Sequence, residues 1–247
     1  MKKVFVILFA IFTLPALAQS DRLNDFNNTN WLQSFTTLSL SKKWSMHFEY
    51  QWRREKGLAQ WQQSLLRLGA NYKVNDQVTA HMGYAWVLTY PYGDFPIASN
   101  GTFPEHRIYE QISFRQPVNK WLFTHRFRVE QRWLRRTVGV ADPQEYEWFF
   151  LHRFRYQFRS QYPFHTKGDQ QFYAAAADEI FIGAGKNLGV NIFDQNRIFL
   201  LLGYKLSKKI TLEAGYFNQT LQQGRRVNNQ TIMQRNNGLV LSTSLNL

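Results

Sequence analysis

The chain has 247 residues, no cysteine, a net charge of +13 and 17% aromatic residues. Without cysteine, neither a disulfide framework nor thiol chemistry is available. A positive excess can indicate nucleic-acid binding, but the arginines of this chain stand at alternate positions of its segments and not in a run. The charge therefore favours an anionic solute, or a surface of lipid and lipopolysaccharide, over nucleic acid.

The first 18 residues predict a cleaved secretory signal peptide. Lys2 and Lys3 precede a short apolar run over residues 4–14, and residues 16–18 read Ala-Leu-Ala, a small–x–small cleavage signal. The run is shorter than the roughly 20 residues that a membrane-spanning helix needs. We therefore expect residues 1–18 to be removed and residues 19–247 to form a single domain.

From about residue 30 to the last residue, apolar and polar side chains alternate with a period of two. Residues 44–52, 78–90 and 239–247 show this most clearly. A period of two is typical of β-strands, because successive side chains point to opposite faces. The pattern predicts strands at 30–40, 44–54, 61–73, 77–90, 105–116, 120–134, 147–161, 171–183, 194–206, 210–221 and 236–247.

The connections between these strands alternate in length. Short ones lie at 41–43, 73–76, 116–119 and 207–209, and longer ones at 55–60, 91–104, 135–146, 184–193 and 222–235. Short periplasmic turns and longer extracellular loops are typical of bacterial barrels. The sequence thus predicts an all-β fold, a closed antiparallel transmembrane β-barrel in the outer membrane of a Gram-negative bacterium. A soluble lipocalin-like barrel would have to enclose too many large aromatic side chains.

The number of strands does not follow directly from this pattern. Single-chain bacterial barrels have an even number of strands, whereas the alternation marks an odd number of segments. A short first strand hidden in the polar stretch 20–29 would give twelve, which we favour. Ten strands result if the segment before residue 44 is not a full strand.

Aromatic side chains mark both edges of the apolar face. Such belts flank the apolar band of outer-membrane barrels, so we expect these residues to lie at the two lipid interfaces. The residues beside the short turns are Trp44, Tyr72, Trp121 and Tyr204, and those toward the long loops are Trp52, Trp61, Trp86, Tyr90 and Trp133.

The opposite face of the strands carries arginine and glutamate. We expect an ion-pair ladder in the lumen made of Arg53, Arg67, Arg107, Arg126, Arg128, Glu130, Arg132, Arg153, Arg155, Glu179, Arg197 and Glu213. Arginine has a long side chain that binds carboxylates through two hydrogen bonds, so the ladder would fill much of a lumen of this size. Alternatively, the excess of arginine forms a path that attracts anions. The two interpretations are compatible.

A few polar side chains on the apolar face are candidates for a catalytic site. Glu110 and Asp178 fall outward, and a β-bulge or a position near the interface would explain them. His125 and His152 also fall outward, but no serine shares their strands at a spacing that suits a lipid-modifying site. No metal, cofactor or catalytic motif is apparent, and we predict none.

Several motifs, in order, resemble a known family. They are residues 31–34 (WLQS), 49–53 (EYQWR), 105–111 (EHRIYEQ), 125–132 (HRFRVEQR), 178–181 (DEIF) and 193–197 (FDQNR). The chain is similar to domain of unknown function 2490 (DUF2490), an uncharacterised family found mainly in Bacteroidota. The resemblance covers nearly all of the mature chain and implies an outer-membrane barrel, with no activity, substrate or catalytic residue attached.

Three functions remain open from the sequence. The first is a narrow or occluded channel, or transport-associated barrel, with a small anionic solute. The second is a lipid-modifying outer-membrane enzyme. The third is a structural or partner-binding barrel that acts through its extracellular loops.

Overall fold

The computed structural model describes residues 22–97, 101–137, 146–189 and 191–247, and the predicted signal peptide lies outside them. One 3-10 turn, Lys56–Leu58, joins two of the strands. In the part of the chain that is described, no helix is long and apolar enough to cross a membrane. The strands are β1 Arg22–Ser39, β2 Trp44–Glu55, β3 Gln60–Lys73, β4 Val78–Thr89, β5 Phe103–Val118, β6 Trp121–Thr137, β7 Tyr146–Lys167, β8 Gln170–Ala184, β9 Phe193–Lys205, β10 Ile210–Val227 and β11 Gln230–Asn246.

These strands form one closed barrel, which confirms the predicted all-β barrel fold. Each strand pairs antiparallel with its neighbours along the chain, and the barrel closes where β1 pairs with β11. That last pairing is parallel. We call the barrel end with the connections at 40–43, 74–77, 119–120, 168–169 and 206–209 the turn end, and the opposite end the loop end.

The described residues contain eleven strands, so neither the expected twelve nor the alternative ten is found. Residues 22–29 do not form a strand of their own, because they continue without a turn into the 18-residue strand β1. Their alternation escapes detection because Asn24 and Asn28 point outward while Asp25 and Asn27 are buried, so both faces are polar. With an odd number of strands the first and the last run in the same direction, so they must pair in parallel.

The connection predicted as a long loop at 222–235 is instead a long hairpin. Strands β10 and β11 extend to a two-residue turn, Asn228–Asn229, whose φ angles are 48° and 62°. A type I′ turn needs positive φ at both central residues, and asparagine tolerates that conformation. The two asparagines therefore explain why the hairpin closes tightly there.

The seam between β1 and β11 has a point of very close approach at Gly238. A Cβ atom on Gly238 would lie 1.6 Å from the carbonyl oxygen of Thr29. Beside it, the backbone N–H of Leu239 donates to the side-chain oxygen of Asn30 at 3.1 Å. The parallel closure therefore depends on the absence of a side chain at Gly238.

We expect Gly238→Ala to destabilise the barrel. Forcing an extra carbon into a filled site costs about 1–3 kcal/mol, and thermal unfolding of the detergent-solubilised chain would measure the loss. Gly168→Asn is the control, since Gly168 has φ +59° and open space around its Cβ position, and asparagine adopts that conformation. Equal melting temperatures for Gly238→Ala and the parent chain would contradict the parallel seam.

The barrel is apolar outside and polar inside. Large apolar side chains such as Leu66, Phe127 and Leu241 are exposed on the outer surface. The interior holds buried arginine, glutamate and glutamine side chains. It also holds an apolar cluster of Trp31, Phe217 and Val240, against which Phe199 and Leu201 pack.

Candidate functional site: the barrel lumen

The lumen is organised around Glu130, a fully buried carboxylate on β6. Arg153 donates to it from Nε at 2.8 Å, and Arg155 donates from Nη1 at 2.5 Å. Arg128 adds a longer ion pair of 3.7 Å. The strand register explains this contact, because Glu130 on β6 and Arg153 on β7 are direct partners across the sheet.

Further ion pairs extend from this centre over strands β5 to β9. Glu179 accepts from Arg155 at 2.7 Å and from Arg126 at 2.8 Å. Glu105 pairs with Arg107 at 2.6 Å and with Arg132 at 2.5 Å. Asp194 pairs with Arg153 at 2.8 Å. Two further pairs, Arg67 with Glu49 and Arg159 with Glu213, lie in other parts of the lumen.

Two arginines of the predicted ladder do not join these ion pairs. Among the described residues, Arg53 and Arg197 have no carboxylate within 4 Å, although both are buried. Arg53 donates to the side-chain oxygens of Gln51 and Gln63, and Arg197 donates to Gln195. The remaining residues of the predicted ladder all lie in ion pairs.

Two carboxylates in the ion pairs around Glu130, namely Glu105 and Asp194, were not part of the predicted ladder. Glu105 lies two positions from Arg107 on β5, so both side chains point into the lumen. The alternating pattern could therefore have placed Glu105 correctly. It could not have placed Asp194, because the register between β8 and β9 shifts between Phe181 and Ile182 and leaves Asp194 and Gln195 both buried. A shift of that kind breaks the alternation on which the prediction depended.

The lumen contains two cavities in series. A cavity of about 400 Å³ lies toward the loop end, and one of about 160 Å³ lies toward the turn end. Arg67, Arg155 and Arg197 line both cavities, so these three side chains form the septum between them. Arg67 and Arg155 are paired with carboxylates, whereas Arg197 is not.

Residues 90–97, which follow β4, fold across the loop end of the barrel, and we call them the strap. The carboxylate of Asp25 on β1 accepts the backbone N–H groups of Asp94 and Phe95, each at 3.3 Å. It also accepts a hydrogen bond from Gln234 on β11 at 2.8 Å. Gly93 allows this approach, because a Cβ there would lie 2.5 Å from an Asp25 oxygen.

The strap reaches the wall of the barrel opposite β4. Tyr92 is buried, donates to Gln234 and accepts from Asn236, both at 3.2 Å. Burial raises the pKa of the Tyr92 phenol, so it stays protonated and keeps its role as a donor. On β10, Arg225 donates to the carbonyl oxygen of Pro96 at 2.8 Å. The strap therefore crosses the loop end from β4 to β10 and β11.

The aromatic residues predicted at the membrane interfaces lie on the outer surface and contact one another between strands. Near the turn end, the rings of Trp44 and Tyr72 are 4.9 Å apart. Toward the loop end, Trp61 lies 5.8 Å from Trp52 and 5.2 Å from Tyr90. Of the others, Trp86, Trp121 and Trp133 also point outward, as does Tyr204, which stacks on Phe172.

The two outward carboxylates are satisfied by neighbouring amides. Glu110 accepts from Gln131 at 3.1 Å, and Asp178 accepts from Asn196 at 2.5 Å. The register is continuous at both residues, so a β-bulge does not explain them. His125 hydrogen-bonds with Tyr156 at 2.9 Å.

Within the described segments, no hydrogen bond joins a serine to His125 or His152. A group of three or more His, Asp or Glu side chains able to hold a metal ion is likewise absent from that part of the chain.

The fold and the lumen define a closed all-β barrel with an apolar exterior and an ion-paired interior. A family model described as "Protein of unknown function (DUF2490)" matches residues 28–230. The chain belongs to this family, which confirms the resemblance seen in its sequence, while the expected Bacteroidota origin stays a prediction.

Among solved structures, the NanC porin is similar at 16% sequence identity and a TM-score of 0.47, over 89% of this chain and 98% of that chain. No curated protein matches the chain.

Proposed function

We propose that the protein is a narrow outer-membrane channel that admits small anions and is largely occluded in the state described here. The observation that carries this proposal is the pair of cavities in series, separated by Arg67, Arg155 and Arg197. Arg197 has no carboxylate partner among the described residues, so its side chain is the member of the septum that is least tied in place.

The outer surface supports a position in the membrane. Water-soluble proteins rarely expose large contiguous apolar patches, whereas this barrel exposes apolar and aromatic side chains on strand after strand. A signal peptide at residues 1–18 would export the chain, and the outer membrane of a Gram-negative bacterium is where such barrels insert. Outer-membrane lipid and lipopolysaccharide are then its surroundings.

The charges of the septum support anions as the solute. A cation that enters the larger cavity meets the guanidinium groups that this cavity shares with the smaller one. Rings of arginine and lysine select for anions in pores, and attraction between charges is stronger where water is scarce. The strap at the loop end keeps the resting conductance small.

Planar-bilayer recording of the purified full chain under a potassium chloride gradient tests this proposal. We expect small conductance steps and a reversal potential that is shifted from zero toward the equilibrium potential of chloride. Arg197→Gln should shift the reversal potential toward zero, because it removes the unpaired charge of the septum. Arg235→Gln is the matched control, since Arg235 lies on the outer surface. A silent barrel, or a preference for potassium, would overturn the proposal.

A further inference from the structure

Arg53 and Arg197 are two buried cations whose charge the protein does not balance locally. Arg53 is 3% exposed and Arg197 is 9% exposed. Their hydrogen-bond acceptors are neutral amides: Gln63 accepts from Arg53 at 2.8 Å, and Gln195 accepts from Arg197 at 3.1 Å. Buried charges are normally paired, because the loss of hydration is otherwise uncompensated. An anion is thus the missing partner.

The nearest carboxylates are already engaged. Glu179 is the partner of Arg197 in the strand register, but its side chain binds Arg155 and Arg126. Glu49, four positions from Arg53 on β2, is paired with Arg67 and accepts a hydrogen bond from Gln51. Both arginines therefore keep guanidinium groups that can receive a ligand from the larger cavity, which both of them line.

The two arginines converge on one aromatic ring. The guanidinium carbon of Arg53 lies 3.9 Å from the centre of the Trp31 ring, and that of Arg197 lies 5.1 Å from it. Trp31 itself stacks on Phe217 at 4.0 Å and is held by a hydrogen bond from its Nε1 to Gln62 at 2.9 Å. Strands on both sides of the barrel seam thus hold two cations beside one fixed ring.

We propose that this convergence is a binding site for a small organic carboxylate, in which Arg53 and Arg197 hold the carboxylate. The apolar part of the ligand then contacts leucines that line the larger cavity, which are Leu134, Leu151 and Leu221. This inference rests on the proposed channel function, because the solute must reach the lumen. Guanidinium groups bind carboxylates through two parallel hydrogen bonds. A cavity of about 400 Å³ is large enough for a small organic acid.

Calorimetric titration of the detergent-solubilised full chain with benzoate tests the site. Benzoate carries the carboxylate and a flat apolar ring, and benzamide is its uncharged counterpart. We expect one saturable site for benzoate and none for benzamide. Arg53→Gln and Arg197→Gln should each weaken benzoate binding by about tenfold or more, the effect of losing one charge-assisted contact.

Two further variants keep the test decisive. Arg54→Gln removes the neighbouring arginine, which points outward and bonds the carbonyl of Leu58 at 3.0 Å, so it should bind like the parent chain. Arg53→Lys keeps the positive charge but loses the planar guanidinium group that binds a carboxylate through two hydrogen bonds. This variant should bind benzoate with intermediate affinity.

The outcomes separate this site from the channel. Equal benzoate affinity in the parent chain and in Arg53→Lys and Arg53→Gln would overturn the site, as would equal binding of benzamide. Anion conductance without benzoate binding would overturn the site and leave the channel intact. Benzoate binding by a barrel that stays silent in bilayers would support the site and overturn the channel.

Discussion

Glu130→Gln is expected to lower the free energy of unfolding of the barrel by about 3–5 kcal/mol, the usual cost of breaking one side of a buried ion pair. Glu130 is fully buried and accepts hydrogen bonds from Arg153 and Arg155. Glutamine keeps the shape of the side chain but removes the charge, so these two arginines and Arg128 are left less compensated. Thermal or denaturant unfolding of the detergent-solubilised chain measures the difference.

Glu213→Gln is the matched control for this experiment. Glu213 also accepts from an arginine, Arg159, and from the hydroxyl of Tyr173 at 2.7 Å. Its side chain is 19% exposed, so water can replace part of what is lost. We expect a clearly smaller destabilisation than for Glu130→Gln. If the two variants were equally stable, the charges of the lumen would behave as a solvated surface and not as a buried network.

Asp25→Ala is expected to release the strap and to increase the open fraction of the proposed channel about 100-fold. The substitution removes the acceptor of the two hydrogen bonds that hold the strap, from the backbone N–H groups of Asp94 and Phe95. At about 1.5 kcal/mol each for a charged acceptor, their loss shifts the ratio of open to closed states by roughly two powers of ten. Single-channel recording would show it as longer and more frequent openings.

Asp94→Ala is the control on the strap itself. Asp94 contributes its backbone N–H to Asp25, and its side chain is exposed. Alanine keeps that N–H, so the open fraction should stay close to that of the parent chain. An equal response to Asp25→Ala and Asp94→Ala would show that the carboxylate of Asp25 does not hold the strap.

The strands were predictable because each presents one apolar and one polar face. The alternation around Arg126, Arg128 and Glu130 placed all three side chains inside the barrel, where they are found in ion pairs. The same rule failed for residues 22–29, where polar side chains occupy both faces. It also failed at Asp194, where an irregular register buries two successive residues.

The partners of the luminal side chains could not be predicted in the same way. The alternation along a strand predicts which face of the sheet a residue occupies, but it does not predict which strands lie opposite that residue across the lumen. Arg53 on β2 and Arg197 on β9 meet at Trp31 only because β1 closes on β11 in parallel. The strap depends likewise on Asp25 and Gln234, which lie far from it in the sequence.

Cysteine labelling at two adjacent residues of β11 tests the account most directly, because the natural chain contains no cysteine. Leu241 is 51% exposed on the outer surface, whereas Ser242 is 8% exposed and lines the smaller cavity. In liposomes, Ser242→Cys should react with water-soluble thiol reagents, and faster with a negatively charged reagent than with a positively charged one. Leu241→Cys should resist both, and a fluorophore attached to it in detergent should be quenched by brominated lipid after reconstitution. Rapid aqueous labelling of Leu241→Cys, or faster reaction of Ser242→Cys with the cationic reagent, would contradict a membrane barrel with an anion-accepting lumen.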